Sequence, residues 1–288
     1  MKNNMVVNFP DLNLEAVIRL EINKPKGDIL SSDLVGIKSL IAGFKGISNI
    51  TGLEYCTALT DLSLNSNSIS DISPLSELTA LIYLSLSYNV ISDLSPLSEL
   101  TGLTRLGLDN NSIRDISPLR GLTKLTFLGL AGNKITNLTP LSRLTALTSL
   151  SFNSNSITDI TPLNGLTALT RLGLCDNSIS DISPLSGLIK LIYLSLNVNS
   201  ISDLSPLSGL IKLTELYLDG NSISDISPLS ELTKLTYLDL SNNDMEIKPD
   251  TTQGQTNLDI VNWHLNDGCY VNWKYGNKTE IKGEINEK

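Results

Sequence analysis

Side chains able to carry reaction chemistry are few in this 288-residue chain. Its single histidine, His264, has no second His at the spacing of a HExxH zinc site, so it reads as a partly exposed residue of a terminal helix. Cys56, Cys175 and Cys269 are far apart and odd in number, which is not the pattern of a disulfide framework. Asp176 follows Cys175, and a neighbouring carboxylate opposes thiolate formation, leaving a poor nucleophile. One acidic set is regular: Asp71, Asp93, Asp115, Asp159, Asp181, Asp203 and Asp225 keep a common phase, with neutral Asn137 standing in once. Stacked carboxylates could hold calcium. Alternatively, each Asp braces its own turn by accepting local backbone N–H groups, and Asn137 in mid-column argues against a continuous cation site. No GxSxG, Walker or GxGxxG motif occurs in a fitting context. The expectation is a chain that is not an enzyme, with no cofactor and no metal.

The elements that place these residues are set by a repeat. Asn67, Asn89, Asn111, Asn133, Asn155, Asn177, Asn199, Asn221 and Asn243 fall at an unbroken spacing of 22. Pro74, Pro96, Pro118, Pro140, Pro162, Pro184, Pro206 and Pro228 keep the same step. One unit runs from Leu59 through Leu62-Ser63-Leu64, Asn67, Ile69, Ile72, Pro74 and Leu75 to Leu78, the leucine-rich-repeat pattern LxxLxLxxNxI with a second apolar segment. Leu62-Ser63-Leu64 alternates as a short strand with one buried face does. Stacked copies then make a parallel sheet. The amide of each repeated Asn is expected to bond backbone groups of its own and the adjacent coil, forming a ladder. Ser73-Pro74 opens a helical turn, with Ser as N-cap and Pro at the first helical position. Aromatics are only 5% of the chain, so Leu and Ile must fill the interior.

A helical turn is bulkier than the strand opposite it. The expected fold is therefore an α/β leucine-rich-repeat solenoid: a curved right-handed coil with the parallel sheet on its concave face, short helical turns on its convex face, and a cap at each end. Residues 1–36 read as an N-terminal helical cap, with Pro10-Asp11 opening a helix that carries Leu14, Val17 and Ile18. Residues 37–250 read as the repeat array, its last copy incomplete. The first copy, 37–58, is degenerate: Ile37, Leu40, Ala42, Ile47, Ile50, Leu53 and Cys56 fill core columns and Lys45 replaces the Asn. Lys248-Pro249-Asp250 ends the pattern. Residues 251–288 read as a C-terminal cap of helix and strand, followed by a polar tail from Asn277. Leu258, Val261 and Leu265 form the expected inner face of that helix, with Trp263 and Trp273 sealing the last repeat.

Strand alternation names the side chains on the sheet face. One column runs Asp61, Tyr83, Arg105, Phe127, Ser149, Arg171, Tyr193, Glu215, Tyr237; the next runs Ser63, Ser85, Gly107, Gly129, Ser151, Gly173, Ser195, Tyr217, Asp239. Tyr83, Arg105 and Phe127 form one candidate binding cluster, with Gly107 and Gly129 leaving room beside them. Arg171, Tyr193, Glu215, Tyr217 and Tyr237 form a second. Aromatic and Arg side chains are common interface anchors; they also suit exposed strand positions for packing reasons alone. With Asp61, Asp109, Asp176, Asp219, Glu215 and Asp239 against two arginines, the face favours a basic or polar protein partner. Lys190, Lys212 and Lys234 form a separate column at the turn entering each strand, either solubilising or available for a side contact. A formal charge of −9 argues against nucleic acid and anionic membrane. No apolar run is long enough to span a membrane, and no signal peptide is visible at residues 1–20.

The Asn-x-Ile-Ser-Asp-Ile-Ser-Pro-Leu core, together with the segment from Asn8-Phe-Pro-Asp-Leu through Gly52-Leu-Glu-Tyr55, resembles the repeats of bacterial internalins over roughly residues 8–243. More distantly, the chain resembles cytosolic phosphatase-regulating proteins built from 22-residue repeats. The internalin resemblance implies an exported or surface-exposed protein that recognises a macromolecule with its curved sheet; the expectation is a monomeric, protein-binding adhesin or effector. A glycan-binding repeat protein and a cytosolic regulatory scaffold are the alternatives.

Overall fold

The computed structural model describes residues 4–245 and 250–273. Ile247, Lys248-Pro249 and the polar tail from Asn277 lie outside the described residues. Two compact units divide the chain, residues 1–155 and 156–288. The first contains helices α1 (Leu12–Glu21) and α2 (Ser31–Leu34) and strands β1 (Ser39–Ile41), β2 (Asp61–Ser63), β3 (Tyr83–Ser85), β4 (Arg105–Gly107), β5 (Phe127–Gly129) and β6 (Ser149–Ser151). The second contains β7 (Arg171–Gly173), β8 (Tyr193–Ser195), β9 (Glu215–Tyr217), β10 (Tyr237–Asp239), helix α3 (Thr252–Asn266) and β11 (Tyr270–Asn272). Within each unit sequence neighbours pair in parallel and in register, as in Tyr83↔Arg105↔Phe127 and Tyr193↔Glu215↔Tyr237. Each of β1 to β9 is followed by a 3₁₀ turn, so the architecture is an α/β leucine-rich-repeat solenoid.

Every coil buries the same columns. Leu59, Leu62, Leu64, Ile69, Ile72, Leu75 and Leu78 are all within 1% of complete burial, as are their counterparts in the following coils up to Leu232 apart from Leu150 at 2%. Such apolar burial is the main driving force for the fold. Phe152 replaces Leu in one column and is fully buried. The degenerate first coil fills the same columns from Ile37 to Cys56.

The strand departs from extended geometry two residues after its second apolar residue. Ser66, Tyr88, Asn110, Gly132 and Ser154 in the first unit, and Asp176, Val198, Gly220 and Asn242 in the second, all have φ between 53° and 67°. The next residue is the repeated Asn. Asn89 is typical: its Nδ2 donates to Leu64 O and Leu86 O at 3.0 Å, and its Oδ1 accepts from the Ile69 N–H at 2.9 Å. One side chain thus serves its own coil and the preceding one. Lys45 occupies the Asn position in the first coil, and there its backbone N–H donates to Asn67 Oδ1 at 3.1 Å.

The 3₁₀ turns differ from the reading of Ser as N-cap. Ser73 is the first residue of the turn, and Asp71 Oδ1 accepts its N–H at 2.8 Å. Asp93, Asp115, Asp159, Asp181, Asp203 and Asp225 repeat this bond, and Asn137 does the same for Thr139 at 2.9 Å. Because Ser and Thr hydroxyls also donate to several of these carboxylates, Asp93, Asp115, Asp159 and Asp203 are held below the usual carboxylate range. A neutral amide fits the column because the bond it supplies is to a backbone N–H.

At the start of the chain, Asp11 caps α1 by accepting from the Asn13 and Leu14 N–H groups, while its other oxygen accepts from Ser48 and Asn49. Burial opposes its charge, yet these four donors prevail and lower its pKa. Leu14 and Ile18 are buried and Val17 is half-buried. Phe9 lies against Gly52, whose φ is 104° and where a Cβ would sit 2.5 Å from the ring.

The C-terminal helix is rotated from its expected orientation. Gly254, Asn257, Ile260, Val261 and His264 face inward; Leu258 and Leu265 are half-buried, and Trp263 is exposed. Trp273 is half-buried as well, so neither tryptophan is the plug. His264 is instead 1% exposed, with Nε2 3.2 Å from Leu229 O. Asn257, fully buried, accepts from the Ile226 N–H and donates to Ser224 O. The helix packs on backbone edges of the last coils, and polar side chains are what can satisfy them.

Candidate functional site

In the first unit, register brings Tyr83, Arg105 and Phe127 side by side on the sheet face. The Arg105 guanidinium carbon lies 4.7 Å from the Phe127 ring centroid, a cation–π distance. The room expected beside them is occupied. A Cβ on Gly129 would meet Asp109 Oδ2 at 2.5 Å, and one on Gly107 would meet Ser87 Oγ at 3.1 Å. Asp109 is engaged by the fold, accepting from the Ala131 N–H at 2.9 Å and from the Ser87 hydroxyl at 3.2 Å.

The second unit carries a longer arrangement. The Arg171 guanidinium carbon lies 4.4 Å from the Tyr193 centroid. Tyr193 and Tyr217 are 5.5 Å apart, Tyr217 and Tyr237 4.8 Å, and Tyr237 and Tyr270 5.4 Å in a near-parallel stack. These spacings follow from adjacent strands lying about 4.8 Å apart. Tyr270 is absent from the sequence-named cluster. It joins because β11 pairs with β10 in the register Tyr237↔Tyr270, Leu238↔Val271. The signal was present in the alternation Cys269-Tyr-Val-Asn, which places Tyr270 in the phase of Tyr237 once Val271 is aligned with the core leucines.

Tyr217 stands in register between Ser195 and Asp239, and both of those are buried instead of lining an open face. Asp239 accepts from the Ser241 N–H and hydroxyl and from Asn272 Nδ2 at 2.9 Å. On the sheet face of this unit the acids with outward access are therefore Asp176, Glu215 and Asp219. Burial, with help from the Asp239 charge, pushes the Asp219 carboxyl up. Burial and Asp239 also push the Tyr237 phenol up to about 12, and burial and Glu215, 3.3 Å from its hydroxyl, raise Tyr217. These tyrosines are neutral donors and apolar surfaces at physiological pH.

The thiols lack the setting of nucleophiles. Burial pushes Cys56 up to about 12 and Cys269 up to about 11; Cys175 is raised by burial and by Asp176. Among the described residues no group of His, Cys, Asp and Glu is arranged to hold a metal ion, and no helix is long and apolar enough to cross a membrane.

A family model described as leucine-rich repeats in two copies matches residues 57–99, 79–121, 101–143, 123–165, 145–187, 167–209 and 211–249. A search of curated protein sequences returns no match. Among solved structures, the chain is similar to internalin C2 of Listeria monocytogenes at 39% identity and a TM-score of 0.73, covering 76% of this chain and 98% of that one. It is similar to another internalin of that organism, inlF, at 31% identity and a TM-score of 0.64, covering 94% and 96%. The plant peptide hormone receptor RGFR1, solved in complex with RGF2, is 26% identical with a TM-score of 0.65, covering 75% of this chain and 38% of the receptor. Repeat chains of this kind are non-enzymatic scaffolds for protein interaction. With its repeats matched over most of its length and its likeness spanning nearly whole internalins, this chain belongs to the internalin-like leucine-rich-repeat proteins of bacteria.

Proposed function

We propose that this protein captures a protein partner on its sheet face, with Arg171, Tyr193, Tyr217 and Tyr237 of the second unit as the main anchor and Tyr83, Arg105 and Phe127 of the first as a further contact. The observation that carries this reading is the continuous row from Arg171 to Tyr270, each member packed on the next. Side chains already ordered by their neighbours lose little freedom on binding, so more of the contact energy appears as affinity. Aromatic and Arg side chains in such settings are frequent interface hot spots. Glu215, Asp219 and Asp176 beside the row favour a partner that is basic or polar. The plant receptor's complex with RGF2 supports a polypeptide over a small ligand. The internalin likeness supports an adhesin or effector acting outside the cell or at its surface.

The test is capture from host-cell and extracellular-matrix proteins by the wild-type chain and by a Tyr193→Ala/Tyr217→Ala/Tyr237→Ala variant. The variant should keep a cooperative thermal transition, because these rings are only half-buried, and should lose the captured protein. Retained capture by a folded variant would remove the row from the interface. Binding to a glycan array with no protein captured would replace the reading with carbohydrate recognition.

A further inference from the structure

Two adjacent coils of the second unit depart together from a pattern kept elsewhere, on the flank where the chain turns toward the strand. Most coils place Thr there: Thr57, Thr79, Thr101, Thr123, Thr145, Thr167 and Thr233. The exceptions are Ile189 and Ile211, which are 56% and 54% exposed. An apolar side chain left in water contributes nothing to the core. Lys190 and Lys212 follow the two isoleucines, and Lys234 extends the column into the next coil. Two residues before each isoleucine stands Gly187 or Gly209, as Gly121 and Gly165 do in two of the Thr coils, where Glu77, Glu99 and Glu231 stand in others. Crowding does not explain these glycines, since an added Cβ would meet nothing within 4 Å at either.

A second departure adjoins the first. Thr60, Thr104, Thr126, Thr148, Thr214 and Thr236 use their hydroxyls to donate to a carbonyl of the preceding coil. Ile192 holds this column in the coil of Ile189, as Ile82 does in the first unit, forgoes that bond and remains 41% exposed. The ion pairs among the described residues are Arg19–Glu15 and Lys24–Asp33, so the three ammonium groups have no ionic partner there. Coils stack about 4.8 Å apart, which spreads the three lysines over roughly 10 Å alongside the three isoleucines.

We infer that this flank is a second docking surface, taking an acidic protein segment that carries apolar side chains between its carboxylates. Charge complementarity selects that occupant: from Ser183 to Thr214 the chain carries Lys190, Lys212 and one acid, Asp203, whose carboxylate is engaged with its own turn. A second copy meeting this flank with its own would set lysine against lysine. The two surfaces therefore differ in sign and accept different partner chemistry.

The probe is a fluorescein-labelled peptide of about twelve residues alternating Glu pairs with Leu, titrated into the whole chain and followed by polarisation. In the variant Ile189→Thr/Lys190→Ala/Ile211→Thr/Lys212→Ala each coil regains the Thr-Ala pair of Thr79-Ala80 and Thr167-Ala168, so folding should be kept. Wild type should bind the probe, about tenfold more tightly than this variant and progressively more weakly as salt is added. Tyr217→Ala should leave the affinity unchanged, which separates this surface from the tyrosine row. Four results would each overturn the inference: no binding by wild type, equal binding by the fourfold variant, loss of binding in Tyr217→Ala, or preference for phosphatidylserine vesicles over the peptide.

Discussion

Replacing Asn111 with Ala removes four hydrogen bonds, yet it strands only one group. Nδ2 donates to Leu86 O and Leu108 O at 3.0 Å and to Asp109 O at 3.3 Å, while Oδ1 accepts from the Ile91 N–H at 2.9 Å. Each carbonyl keeps another donor: Leu86 O has Asn89, Leu108 O has Asn133, and Asp109 O has the Tyr88 N–H at 2.7 Å. The Ile91 N–H, on a fully buried residue, is left with none. An orphaned buried donor costs about 1–3 kcal/mol, and the lost second bonds add some, giving roughly 2–4 kcal/mol in all. Asn111→Asp separates the two halves of the amide. Its carboxylate still accepts from Ile91, but the former donor becomes an oxygen facing three carbonyls about 3 Å away. At neutral pH Asp should be worse than Ala. In acid the protonated carboxyl regains a donor, so the order should narrow or invert.

Urea unfolding of the three proteins at neutral and mildly acidic pH reads these differences, and amide exchange at Ile91 localises them. Ile91 should lose protection in Asn111→Ala and keep it in Asn111→Asp. An Ala variant within about 0.5 kcal/mol of wild type, the range of ordinary surface changes, would refute the accounting of donors and acceptors. So would an Asp variant as stable as Ala at neutral pH.

Val198 sits at φ 55° with 48% of its surface exposed, a left-handed position that costs a β-branched residue about 1–2 kcal/mol. Val198→Asn should raise the unfolding midpoint by about 1 kcal/mol in stability, and a lower midpoint would mean the side chain packs usefully where it stands. Burial holds the His264 pKa below its ordinary value, so the unfolded chain takes up a proton first as pH falls; stability is intact above about 6.5 and declines through the folded pKa below it. Thermal melts across that window should show the step in wild type and lose it in His264→Gln, whereas an unchanged profile would assign the step to another group.

The array was legible in sequence because identical coils superpose their signals. A Leu-x-Leu strand, an Asn ladder residue and an Asp turn brace recur at one spacing, and each copy corroborates the rest. The C-terminal cap has no such redundancy. Periodicity put Leu258 and Leu265 inside, but Asn257 and His264 take the inner face because carbonyls and N–H groups of the last coils meet them there. An apolar-face rule fails wherever a helix packs on a backbone edge. On the sheet face, alternation named the right columns but not their occupancy. Gly129 looked open in sequence, and the space is filled by Asp109 of the preceding coil, whose reach depends on a backbone N–H it also binds.

Fixed columns also give meaning to the places where they break. The Asn, Asp, Thr and Leu positions of a coil satisfy its backbone and fill its core, so stability alone favours keeping them. Ile192 gives up a hydroxyl bond, and Val198 and Tyr88 accept a left-handed backbone that Ser, Asn, Asp or Gly holds in all the other coils except that of Phe44. All three side chains are exposed, so burial does not repay the loss. Contact with something outside the chain, as we propose for the flank, would favour them. Exposed apolar side chains gather in both units, Ile82, Tyr88 and Val90 in the first and Ile189, Ile192, Val198 and Ile211 in the second, and it is Lys190 and Lys212 beside Ile189 and Ile211 that set apart the docking surface we propose.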